Sequence, residues 1–161
     1  MTIKVGERMP RGQFTVMGKN GPQTLSTEEL FSGKKVVLFS VPGAFTPTCS
    51  AKHLPGFVDN ADALKAKGVD TIACMAVNDA FVMSAWGKSA NADDKVMMLA
   101  DGNGEYSRAL GLELDASKFG MGKRSQRFSV IVEDGVVTQL NVEAPGAFEV
   151  SSAEAALGQL T

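Results

Sequence analysis

The amino-acid sequence predicts an α/β fold, a mixed central β-sheet with helices on both faces and an N-terminal β-hairpin. Two observations carry this expectation. Short apolar, β-branched runs alternate with segments of helical spacing through most of the chain, and a hairpin pattern around Asp134-Gly135 follows them. With 161 residues and 44% hydrophobic content the chain has enough apolar material for one core, so residues 1–161 are read as a single domain.

The elements follow in order. Gln13 to Met17 and Gln23 to Leu25 flank the turn-forming Gly18-Lys19-Asn20-Gly21-Pro22, which predicts the hairpin. Ser26 and Glu29 fit a capping box opening a short helix that ends at Gly33. Lys34 to Val41 is apolar and β-branched, as a buried strand requires. Ser50 to Lys67 places Leu54, Phe57, Val58, Ala61 and Leu64 at helical spacing and closes on Gly68, predicting one helix with Cys49 in its first turn. Val69 to Val77 alternates two apolar faces as a strand, and Asn78 is expected to cap a helix running to about Ala90. Val96 to Ala100 reads as a strand and Gly104 to Leu110 as a short helix. Arg127 to Glu133 pairs with Val136 to Val142, and Ser151 with Glu154 predicts a second capping box for a closing helix. That order suits a thioredoxin-like fold.

Composition narrows the function. Sixteen basic and eighteen acidic residues leave a formal charge of −2, so no broad basic field for nucleic acid or anionic lipid is implied. No apolar run approaches the roughly 20 residues of a membrane span, and the N-terminus lacks a secretory apolar core, so a soluble, cytoplasmic protein is expected. Two cysteines are too few for a disulfide scaffold and, with one histidine, cannot complete an ordinary four-ligand structural zinc site. In a reducing compartment a lone activated cysteine is reactive rather than cross-linked.

Cys49 is placed for such reactivity. It lies between a strand and a helix, where unpaired amides and the helix dipole favour a thiolate. Lowering a thiol pKa from about 8.5 to about 6 requires roughly 3.4 kcal/mol. A dipole supplies about 0.3 to 1 kcal/mol of that, so a cation or several hydrogen bonds must contribute the rest. Arg127, opening the later hairpin strand, can supply the fixed cation. Thr46 carries a hydroxyl able to donate to a peroxide oxygen and accept from a neighbour, while Pro42 and Pro47 stiffen the loop and remove competing donors. These are the parts needed for attack by a thiolate on an O–O bond.

Pro42-Gly43-Ala44-Phe45-Thr46-Pro47-Thr48-Cys49, followed by His53-Leu54-Pro55-Gly56-Phe57, Asn78-Asp79-Ala80-Phe81 and Arg127-Phe128-Ser129, resembles the peroxiredoxins of the Prx5 subfamily, close to plant type II and bacterial glutaredoxin-associated members. The likeness runs from about Val5 to Leu160. It implies a thiol-dependent peroxidase acting on hydrogen peroxide and alkyl hydroperoxides, with Cys49 as nucleophile, Thr46 orienting the peroxide, Pro42 shielding the site and Arg127 activating thiolate and substrate. It also implies antioxidant function, no prosthetic cofactor or metal, an external thiol reductant (glutathione with glutaredoxin, or thioredoxin) and a homodimer packing near Phe45, Phe81 and Trp86. Other members carry a resolving cysteine in the segment matching Gly146 to Ser152. Here that segment has none, which leaves the Cys49 sulfenic acid to an external thiol.

Cys74, 25 residues beyond Cys49, lies mid-strand and reads as a buried small hydrophobe, although some plant-like relatives assign a resolving role there. His53, four residues after Cys49, is read as a packing or polar-surface residue rather than a general base, because peroxide attack by a thiolate needs no proton acceptor. Two other classes remain open at this point. A cysteine hydrolase would use Cys49 with His53 but lacks a marked oxyanion hole and orienting carboxylate. A redox-sensing or holdase module would change partner binding on Cys49 oxidation.

Overall fold

The computed structural model describes residues 2–48, 52–92 and 94–160. Seven strands form one sheet: β1 (Gln13–Gly18), β2 (Gly21–Ser26), β3 (Lys35–Ser40), β4 (Thr71–Ala76), β5 (Met97–Ala100), β8 (Phe128–Glu133) and β9 (Val136–Val142). They lie in the order β2-β1-β5-β4-β3-β8-β9. β3, β4 and β5 run parallel, whereas β8, β9 and the β1–β2 hairpin are antiparallel additions on either side. A mixed sheet of this kind was expected from the alternation of strands and helices.

The central strands are apolar on both faces because helices cover both. On β3, Val37 and Phe39 join Leu54, Phe57, Leu64, Met83, Trp86 and Ala156 from α2 (Leu54–Asp59), α3 (Ala61–Ala66), α4 (Ala80–Ser89) and α6 (Ala153–Gln159). Val36 and Leu38 point the other way, into a core with Leu30 of α1 (Thr27–Phe31) and with Tyr106 and Leu110 of α5 (Glu105–Leu110). The same alternation sorts β4, sending Ile72, Cys74 and Ala76 to the first core and Ala73 and Met75 to the second. Among the described residues no helix is long and apolar enough to cross a membrane.

Local signals held where they were self-contained. The Ser26–Glu29 capping box is present in both directions, Gly68 ends its helix at φ +94°, and Asp134-Gly135 turns the β8–β9 hairpin with both residues at positive φ. The first hairpin closes more tightly than expected, with Gly18 paired to Gly21 and Pro22 inside β2, an edge strand where a missing N–H costs no ladder bond.

Three expectations are corrected. The helix predicted across Ser50 to Lys67 is interrupted at Asn60, whose side-chain amide donates to Gly56 O at 2.8 Å and whose backbone departs to φ −101°, ψ 9°, so that α2 and α3 are separate. Asp79, not Asn78, caps α4 by accepting from Val82 N at 2.8 Å. Ser152, not Ser151, caps α6 by accepting from Ala155 N at 3.1 Å, and no Ser151–Glu154 box forms because the Ser151 hydroxyl donates to Glu143. The sequence predicts no element between Leu110 and Arg127. There β6 (Glu113–Asp115) and β7 (Lys123–Ser125) form a two-stranded ribbon around a 3-10 turn at Ser117–Phe119.

Candidate active site

The loop after β3 is tied down from three sides. Val41 N donates to Met75 O of β4 at 3.2 Å. Ala44 N donates to Asn78 Oδ1 at 2.9 Å, which is what Asn78 does instead of capping α4. From the β6–β7 ribbon, Arg124 Nη1 donates to Pro42 O at 3.4 Å while its Nε donates to Met121 O at 2.9 Å. Gly43 leaves room for this approach, since a Cβ there would stand 2.9 Å from Arg124 Nη1 and would make the guanidinium shift.

Within the loop the Thr46 hydroxyl donates to Gly43 O at 2.7 Å, which reverses the expectation that it would donate to a peroxide and accept from a neighbour, and leaves its oxygen lone pairs for acceptance. Phe45 adopts φ +64°, a left-handed conformation that bulky residues rarely take, and its ring is 54% exposed, 6.4 Å from the buried Trp86 ring. Pro47 and Thr48 then enter a helix. Cys49, the predicted nucleophile, lies outside the described residues.

Arg127 precedes β8 and is half-buried. Its Nη1 stands 2.9 Å from His53 Nδ1, and its guanidinium carbon lies 5.9 Å from the centre of the Phe148 ring. His53 is fully buried among Phe39, Phe57 and Phe148, at centroid distances of 4.7, 5.7 and 4.9 Å. Its Nε2 stands 2.9 Å from Ser151 O.

The partners assign the tautomer. A guanidinium can only donate and a carbonyl can only accept, so Nδ1 must be the acceptor and Nε2 must carry the proton. Burial first, and then the Arg127 charge, push the imidazole pKa down to about 3 against the opposing pull of Ser151 O. His53 is therefore a neutral bridge from the loop at Ser151 to Arg127. With its basic nitrogen occupied it cannot serve as general base, which agrees with the packing expectation and corrects the polar-surface alternative.

This has a pH consequence. Between about pH 6.5 and about 3 the unfolded chain binds a proton at this histidine that the folded chain refuses. His53 therefore contributes stability that is lost as pH falls through that window, by up to about 1.4 kcal/mol per pH unit. We expect the single imidazole to stay neutral by NMR from pH 8 to pH 5. A ring titrating near 6.5 would contradict the buried bridge.

The structure thus brings Pro42 and Thr46 together on one braced loop and sets Arg127 at the end of a hydrogen-bonded chain through His53. Cys74 is fully buried on β4, paired with Phe39 and Met98 and in the same core as Leu54 and Phe57. Sequence reasoning missed Arg124, Asn78 and Glu143. Arg124 had only a faint signal, the Lys123-Arg124 and Arg127 basic group. Asn78 stood out only as a helix cap and in the Asn78-Asp79-Ala80-Phe81 motif, not as a brace of the loop, and Glu143 had no signal, because their partners are 34 and up to 8 residues away along the chain. Among the described residues no three His, Cys, Asp or Glu are placed to hold a metal ion.

A thioredoxin-like sheet carrying a braced strand-to-helix loop and an oriented arginine defines an oxidoreductase of the thiol-redox class. The redoxin family profile matches residues 4–157. Peroxiredoxin-2B of Arabidopsis thaliana is 53% identical over 153 residues, 94% of each chain. The structure of reduced Prx3 from Vibrio vulnificus in complex with hydrogen peroxide superposes with a TM-score of 0.96 at 55% identity, over 99% of this chain and 100% of that one. Peroxiredoxin 5 from Alvinella pompejana gives 0.87 at 37% identity, over 98% and 97%. The chain belongs to the redoxin family, as a thiol peroxidase of the Prx5-type peroxiredoxins.

Proposed function

We propose that this protein reduces hydrogen peroxide and alkyl hydroperoxides through Cys49, in a one-cysteine cycle completed by glutathione and glutaredoxin. The observations that carry the proposal are a braced loop whose Thr46 hydroxyl is already oriented by Gly43 and an Arg127 guanidinium held by His53. The Cys49 thiolate attacks the terminal peroxide oxygen, an S–O bond forms as the O–O bond breaks, and the departing alkoxide or hydroxide takes up a proton. Arg127 stabilises both the thiolate and the charge growing on the leaving oxygen. Thr46, its own proton committed to Gly43 O, accepts from the hydroperoxide O–H and so aims the O–O bond. Pro42 presents a face without an N–H donor, limiting water around the sulfur.

The sulfenic acid is then attacked by glutathione, giving a Cys49–glutathione disulfide and water, and a second thiol, on glutaredoxin or glutathione, restores the thiol. The segment Gly146 to Ser152, where other members carry a resolving cysteine, has none here, and the burial of Cys74 supports resolution from outside the chain. Intact mass after one equivalent of hydrogen peroxide should show gain of one oxygen, replaced by a glutathione adduct on addition of glutathione. Loss of two hydrogens instead would make Cys74 the resolving partner.

Cys74→Ser should leave glutathione-supported turnover within about two-fold of the parent while costing about 1–3 kcal/mol of stability for a hydroxyl in an apolar core. Turnover and urea unfolding measured on the same protein separate the two effects. A homodimer is consistent with the exposed Phe45 and Phe81, 54% and 66% accessible, near Trp86. A reducing, cytoplasmic setting fits the cysteine usage.

A further inference from the structure

Glu143 follows β9, and its carboxylate is buried against a turn of the chain, with no cation paired to it among the described residues. It accepts from Glu149 N at 3.0 and 2.9 Å, Val150 N at 2.9 Å, Ser151 N at 2.8 Å and the Ser151 hydroxyl at 2.6 Å. Burial opposes the charge, but the Ser151 hydroxyl and the three amides outweigh it and hold the carboxyl below the usual carboxylate range. Its own backbone N–H donates to Arg127 O at 3.0 Å, which sets the start of the turn beside the arginine's main chain. The turn presents Ser151 O to His53 Nε2 at 2.9 Å, and His53 Nδ1 meets Arg127 Nη1 at 2.9 Å.

We propose that Glu143 is a positioning residue of the peroxidase site: by clamping residues 149–151 it aims the Ser151 carbonyl at His53, fixes the imidazole tautomer, and so orients the guanidinium of Arg127. Each link is forced by donor and acceptor chemistry. The carboxylate takes only donors, the carbonyl takes only the Nε2 proton, and the remaining Nδ1 lone pair takes only a donor, which Arg127 supplies. Neutral imidazole also lets the cation stand beside a buried ring without meeting a second positive charge. If the clamp opens, Ser151 O moves away, the Nε2 proton loses its partner, the two tautomers compete, and the Nδ1–H form turns a donor against the guanidinium.

The relay to Cys49 rests on the peroxidase reading, whereas the link from Glu143 to the imidazole does not, and the two are measured separately. With one histidine in the chain, its ring signals in two-dimensional ¹H–¹⁵N NMR report the tautomer without ambiguity. The pH profile of Cys49 alkylation reports Arg127. Glu143→Ala keeps the backbone donor to Arg127 and removes only the clamp. We expect mixed tautomers where the parent shows Nε2–H, an alkylation midpoint moved to higher pH, and a rate with hydrogen peroxide roughly 10- to 100-fold lower, as a misaimed catalytic group produces. A folded Glu143→Ala protein with the parent's tautomer overturns the proposal.

Glu143→Gln serves if the alanine variant does not fold. One amide oxygen cannot satisfy four donors and its NH2 faces another, so a smaller change in the same direction is expected, and an unchanged tautomer again overturns the clamp. In a His53→Leu background Glu143→Ala should move the alkylation midpoint no further; an additive movement would mean that Glu143 does not act through His53. A changed tautomer with an unchanged alkylation profile would uphold the clamp to His53 but refute its control of Cys49, and peroxide turnover by the parent decides whether the peroxidase reading has failed with it.

Discussion

Cys49→Ser is expected to abolish peroxide turnover, lowering the rate by on the order of 10³-fold or more, to background. A serine hydroxyl does not ionise near neutral pH, and an oriented arginine cannot make it a nucleophile comparable with a thiolate. Nothing else described near the loop can substitute. Cys74 is sealed in the core between β4 and α2, and the basic nitrogen of His53 is held by Arg127. The variant should fold normally, since sulfur-to-oxygen is a small change and loop 42–46 is braced through Asn78 and Arg124. Peroxide consumption with glutathione and glutaredoxin supplied is the measurement, with intact mass after peroxide as its control. The parent gains oxygen and the variant does not. Retained turnover would remove Cys49 from the reaction and leave the braced loop without its assigned purpose.

The same elements show what the sequence made legible. Strands β3 and β4 could be read because both of their faces are buried, and a run such as Val36 to Phe39 has no polar residue to confuse its assignment. Ser26–Glu29 and Asp134-Gly135 could be read because donor and acceptor lie within three residues of each other. Adjacent candidates were harder. Asn78 and Asp79 are equally good caps, as are Ser151 and Ser152, and the choice in each pair was made by a distant partner, Ala44 N in one case and the Glu143 carboxylate in the other. In both pairs the first residue is drawn to the site and the second caps the helix.

That pattern bears on the site itself. Pro42, Thr46 and Arg127 belong to local motifs and could be named from the sequence. The residues bracing them could not, because a carboxylate eight residues from the hydroxyl it binds, or an imidazole 74 residues from its guanidinium, leaves no periodic trace. His53 shows the cost most clearly. Read along a helix, it is a titratable group one turn from a cysteine and invites the role of base. Seen between Ser151 O and Arg127, it is a neutral spacer whose value lies in not titrating.

Arg127→Gln should give the second large effect, a fall of roughly 10²- to 10³-fold in the rate with hydrogen peroxide, comparable with loss of one preorganised donor to a developing oxyanion. Two contributions combine. The helix end and loop amides remain, but they supply only part of the roughly 3.4 kcal/mol needed for a reactive thiolate, so the alkylation midpoint of Cys49 should rise by roughly one to three pH units. The departing oxygen also loses its fixed cation, and this part is independent of thiol ionisation. Measuring the rate at a pH above the new midpoint separates them. A deficit that vanishes there would assign Arg127 to thiolate formation alone, whereas one that persists assigns it to the transition state as well. Glutamine can still donate to His53 Nδ1, so the imidazole should keep its Nε2–H tautomer and the fold should be spared. Arg127→Leu removes that donor too, and any further loss it causes measures how much His53 and the turn behind it depend on being held from the other side. An unchanged midpoint in both variants would place the cation that activates Cys49 elsewhere, with Arg124, already bonded to Pro42 O, the next residue to substitute.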